Sequence, residues 1–79
     1  MTWREYIQSD PQILDGKPVV KGSRLAVDFI LGLLAEGWSQ ERLLENYPQL
    51  SPESLRAVFA YASETLQDDT VFPLDLGAA

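Results

Sequence analysis

Neither cysteine nor histidine occurs among these 79 residues, and that double absence narrows what the chain can fold into. Below about 70–80 residues a single core rarely supplies more than about 3–5 kcal/mol, so small natural scaffolds usually add a disulfide, a metal or a partner. Disulfides need cysteine, and zinc staples draw on cysteine and histidine. Oligomerisation or docking is the reinforcement left, and a homo-oligomer is expected, a dimer above other states. Hydrophobic residues make up 46% of the chain, enough to argue for a folded body. The same absences remove the thiol nucleophile, the imidazole base and the Ser-His-Asp triad. An enzyme is therefore not expected, nor any cofactor or metal.

Charge is unevenly placed. Six basic residues face twelve acidic ones, for a net charge of −6. Residues 1–15 carry a net −2 and residues 28–79 a net −7, whereas residues 16–27 hold Lys17, Lys21 and Arg24 with no acid, a net +3. An acidic body is repelled by nucleic acid, so any DNA contact has to come from a local patch. No apolar run reaches the roughly 18–20 residues that span a bilayer. The opening Met1-Thr2-Trp3-Arg4-Glu5 lacks the basic-then-apolar order of a signal peptide. A cytoplasmic location is expected.

Residues 1–15 place Trp3, Tyr6, Ile7, Ile13 and Leu14 around a turn at Asp10-Pro11, which reads as a packed arm. Asp15-Gly16 is a second turn pair, suited to positive φ. Pro18–Val20 and Arg24–Val27 are β-leaning runs separated by Lys21-Gly22-Ser23. Strands so short need a third strand, which the arm could supply, or a second subunit. From Asp28 the period changes. Val27, Ile30, Leu31 and Leu34 follow i, i+3, i+4, i+7, one face of a helix, with Phe29 and Leu33 nearly opposite. A helix apolar on two sides is sandwiched within the domain or across an interface. Gly37 stops it, and Ser39 caps a second helix whose apolar side is Leu43, Leu44 and Tyr47. Pro48 ends that helix, and Ser51-Pro52-Glu53 opens a third, running to about Gln67 with a stripe of Leu55, Val58, Phe59, Ala62 and Leu66. The expected architecture is mainly α. Residues 1–67 form a small domain, with an arm and short β element over 1–27 and a three-helix, helix-turn-helix-like core over 28–67. An acidic and apolar tail follows over 68–79.

Gly16-Lys17-Pro18-Val19-Val20-Lys21-Gly22-Ser23-Arg24-Leu25-Ala26-Val27, with Gly37-Trp38-Ser39, Tyr47-Pro48-Gln49-Leu50-Ser51 and Ala60-Tyr61-Ala62, resembles the bacterial domain-of-unknown-function 433 family over roughly residues 7–63. The resemblance implies a homeodomain-like three-helix core. It also implies an antitoxin role, because members are often encoded beside PIN-like ribonuclease toxins. The family usually reads Gly-Thr-Arg-Ile-Pro-Val where this chain has Gly22-Ser23-Arg24-Leu25-Ala26-Val27, and often has glycine where Asp15 stands. Ser23 keeps the hydroxyl and Arg24 the guanidinium; Ala26 lacks proline's rigidity at the helix entrance.

Two kinds of partner follow. For a PIN-like ribonuclease toxin, Phe29 and Leu33 offer a docking face. In the tail, Asp68 and Asp69 could mimic RNA phosphates in the basic cleft while Phe72 and Leu74 anchor in apolar pockets; Asp75 and Leu76 extend that pattern. The plainer alternative is a frayed tail, or one folded over Phe29 and Leu33. For operator DNA, bound by a transcriptional autoregulator, the candidates are Lys17, Lys21 and Arg24 on a two-stranded ribbon formed across a dyad, and Arg56 on the third helix. The outward face of that helix, read as Glu53, Arg56, Ala57, Ala60 and Glu64, is net acidic, which favours plain packing. Arg24 could equally fasten a turn to helix-end carbonyls while the lysines are solvated. Gly16-Lys17 and Gly22-Ser23 do not make a phosphate loop, because the spacing is wrong and Pro18 lacks an N–H. Trp3 and Trp38 read as packing or interface anchors.

Overall fold

The structure, a computed structural model, describes residues 2–68. Its first elements are the arm. Trp3–Glu5 forms a 3-10 turn, strand β1 spans Ile7–Ser9, Leu14–Gly16 is a second 3-10 turn, and strand β2 spans Pro18–Val20. The strands pair antiparallel in the register Ile7↔Val20, Gln8↔Val19, Ser9↔Pro18. A two-stranded sheet this short is marginal in water. It persists here because both faces are covered: Ile7 and Val20, paired on one face, join the core, and Val19, on the other, is buried as well.

Arg24–Val27, expected as a strand, makes only a single bridge, Val19↔Ala26, with the Val20 N–H donating to the Leu25 carbonyl at 3.0 Å. The cause is the helix that follows. Ala26 is the N-cap of α1, Val27–Ala35, and its carbonyl already accepts from the Ile30 N–H, so too few residues are left to extend a ladder. β2 is thus flanked by β1 on one side and by Leu25-Ala26 on the other.

α1 buries Val27 and Ile30, with Leu31 and Leu34 packed against the core, as its spacing requires. It ends in a Schellman motif. Gly37, at φ +102°, donates to the Leu34 carbonyl, and Trp38 donates to that of Leu33. α2, Gln40–Asn46, is capped by Ser39, whose Oγ accepts from the Arg42 N–H at 3.0 Å. α3 spans Pro52–Asp68. At its start Ser51 and Ser54 cap reciprocally: the Ser54 N–H donates to Ser51 Oγ and the Ser51 N–H to Ser54 Oγ, at 3.1 and 2.8 Å. Together with Ile30, the fully buried Leu43, Leu55 and Val58 centre the core.

The buried face of α3 is rotated from the expected stripe. Leu55 and Val58 are buried, but so are Ser54 and Ala57, whereas Phe59 is 43% and Leu66 72% exposed. The arm accounts for part of this. Trp3 packs edge-on to Tyr61 with ring centroids 4.8 Å apart, and its indole N–H donates to Glu64. Arg4 lies 3.7 Å from the same carboxylate. Ala57, expected on the outward face, sits in the core instead. Among the described residues no helix is long and apolar enough to cross a membrane.

Candidate functional site

The turn between β2 and α1 sets out the basic residues. Gly22 has a φ of +82°, and Ser23 locks the turn: its Oγ donates to the Val20 carbonyl at 2.8 Å and accepts from the Leu25 N–H at 3.0 Å. The fastening role considered for Arg24 belongs to Ser23. Arg24 is exposed and makes no hydrogen bond or ion pair among the described residues. Lys21 is exposed too, and its backbone N–H donates to the Tyr6 carbonyl. Lys17 is pinned differently, with its Nζ 3.2 Å from Asp28 Oδ2 across the first turn of α1.

Arg24 opens onto a notch of about 530 Å³, whose walls include Leu14, Asp15, Lys17, Asp28 and Phe29. Leu14 and Phe29 are 45% and 44% exposed. Leu14 and Asp15 both hold left-handed backbone, at φ +49° and +57°, which a branched residue such as leucine rarely adopts. The notch is not an anion trap, because two carboxylates match its two cations. Its walls combine an exposed arginine with two exposed apolar side chains. Among the described residues no three metal-ligating side chains cluster.

The surface continues from the notch through aromatic rings. Phe29 meets Tyr47 edge-on at 6.0 Å, Tyr47 lies 6.3 Å from Trp38, and the Arg42 guanidinium stands 3.8 Å over the Trp38 ring. Aromatic and arginine side chains are the types enriched where proteins bind one another.

Of the residues singled out from sequence, Lys17, Arg24 and Phe29 come together in the notch. Lys21 lies just beyond it in the turn. Leu33, expected on the same face as Phe29, is half-buried and packs against the core. Arg56 is exposed on α3 and is not part of the notch. Of the dyad-related ribbon expected through Pro18–Val20 or Arg24–Val27, β2 is flanked on both sides within the chain, and Arg24–Val27 is no strand, since α1 begins at Val27. Asp69, Phe72 and Leu74 lie outside the described residues, as does the side chain of Asp68. Sequence reasoning missed Leu14 as a surface contributor. The only signal was its place before the Asp15-Gly16 turn.

The chain matches, over residues 7–62, a family described as "Protein of unknown function (DUF433)". The uncharacterized protein y4eO of Sinorhizobium fredii is 44% identical over 59 residues, which cover 75% of this chain and 27% of that protein. The chain thus spans about a quarter of the length of that relative. The crystal structure of a DUF433 member protein from Anabaena variabilis is similar in fold, with a TM-score of 0.73 at 27% identity, over 78% of this chain and 61% of that one.

Proposed function

Starting from the fact that this chain belongs to the DUF433 family, we propose that it works by contact, as the antitoxin of a type II pair that binds a PIN-like ribonuclease and occludes its RNA cleft. The observation that carries the reading is the exposed Leu14–Arg24–Phe29 notch, continued by Tyr47, Trp38 and Arg42. An arginine with no partner among the described residues, flanked by exposed apolar and aromatic side chains, is the composition of a binding hot spot. The class of partner comes from the resemblance of the Gly16–Val27 segment to proteins encoded beside such nucleases. The expected dimer belongs to the same proposal.

Operator DNA has less support. Lys17 shares its charge with Asp28, and the first turn of α3 presents Glu53 beside Arg56. A helix that brings acid to a phosphate-lined groove binds poorly.

The test is capture of the tagged protein from its native host under a high-salt wash, followed by a neutralisation assay with the nuclease recovered. Arg24→Glu and Phe29→Ser are expected to weaken the complex at least tenfold, which is about 1.4 kcal/mol or more. Recovery of one small PIN-like nuclease sensitive to both changes supports the reading. A nuclease indifferent to both, or recovery of the protein alone, overturns it.

A further inference from the structure

A second depression, of about 300 Å³, lies between the first half of α1 and the last turns of α3. Its walls are Pro18, Val27, Leu31, Tyr61, Ala62 and Leu66, with Asp28 and Thr65 at the margin, and it is almost wholly apolar. Leu66, one of its walls, is 72% exposed. An uncovered apolar groove next to so exposed a leucine is surface that gains from being taken out of water.

We propose that the occupant is this chain's own segment Val71-Phe72-Pro73-Leu74. Three considerations select it. The first is position: α3 forms one wall of the groove and ends at Asp68, so the next residues start beside it. The second is composition and reach. Asp69-Thr70 precedes three apolar side chains within four positions, and Pro73 has no N–H with which to continue a helix. Val71–Leu74, extended, covers about 10–13 Å at roughly 3.3 Å per residue. The wall from Tyr61 to Leu66 rises only about 7.5 Å at 1.5 Å per residue. A reversal at Asp69-Thr70 brings the one along the other. The third is the tether. A segment joined by so short a linker meets the groove at an effective concentration in the millimolar range. A weak apolar contact therefore suffices, and a separate chain at cellular concentration is outcompeted. The groove adjoins the Arg24 notch, with Asp28 lining both, and the proposal does not depend on the nuclease.

The experiment is nuclear magnetic resonance on the isotopically labelled full chain. Through-space contacts are expected from the Phe72 ring to the methyls of Leu31 and Ala62. Phe72→Ser should abolish them and shift the Leu31 and Tyr61 resonances, while those of Leu43 in the core stay in place. A Phe72 ring without contact to Leu31 or Ala62 in the unmodified chain overturns the proposal, and this arm needs no variant to fold. So do Leu31 and Tyr61 resonances that Phe72→Ser leaves unmoved. Contacts seen only between labelled and unlabelled chains in a mixed sample overturn it too, in favour of a second copy.

Discussion

Ser54 shows how much one small side chain can hold. It is 3% exposed, yet its hydroxyl accepts from the Ser51 N–H and donates to the Ser51 carbonyl, while its own N–H is taken by Ser51 Oγ. Removing the hydroxyl leaves the half-buried Ser51 amide without its acceptor at the start of the longest helix. Ser54→Ala should lower stability by about 1–2 kcal/mol, read as a lower urea midpoint with an unchanged slope. Asp15 makes the opposite case. At φ +57° and ψ +31° its Cβ is crowded against the following carbonyl, at a cost of about 1–2 kcal/mol for an L-residue. Glycine removes the crowding but orders a freer chain. Asp15→Gly should therefore raise stability by about 0.5–1 kcal/mol in the same assay. No change, or a loss, would mean that the aspartate is held there by something other than turn geometry.

Helix ends were the most legible features of the sequence. Gly37, Ser39 and Ser51-Pro52 act through bonds to residues within five positions, so local spacing suffices to place them. The strands were less so. β1 is three residues long with one β-branched member, and its partner lies thirteen positions away at Ile7↔Val20. Arg24–Val27 has the better β composition, but the i, i+3, i+4 register of α1 begins at Val27 and takes those residues first. In the candidate site, Lys17, Arg24 and Phe29 were visible as residue types, whereas Leu14 was not, because its left-handed backbone and exposure follow from how the arm closes. The arm itself is held by Trp3 against Tyr61 and Glu64. Trp3→Ala should cost about 1–3 kcal/mol and speed hydrogen exchange at the β1 amides before those of α1. Trp3→Phe, which keeps the ring contact, should recover most of the loss. Equal acceleration everywhere in Trp3→Ala would mean that the arm has no separate mode of opening.

With a net charge of −6 and half of its six basic residues gathered in one short segment, the chain has little to hold duplex DNA. Lys17 is matched by Asp28, leaving Lys21 and Arg24 as exposed cations of that segment. Titration of labelled duplex from its own promoter region, at 50 and 200 mM salt, is expected to give no more than weak non-specific binding, in the range of about 10⁻⁴–10⁻⁶ M or weaker. Binding tighter than this, with a log–log salt slope of about three or steeper, would make the regulator reading primary.

The bond between Trp3 and Glu64 joins residues 61 apart in sequence, and on the ribosome that separation becomes a delay. At about 5–20 residues per second, roughly 3–12 s pass between the synthesis of the indole and that of its carboxylate. β1 can find β2 early in that interval, but the arm cannot be latched. A nascent chain therefore carries an uncovered tryptophan while the residues between the pair are made, and the arm closes only when α3 emerges. Synonymous codons that slow the synthesis of α3 would lengthen that vulnerable period without altering a single contact in the finished protein.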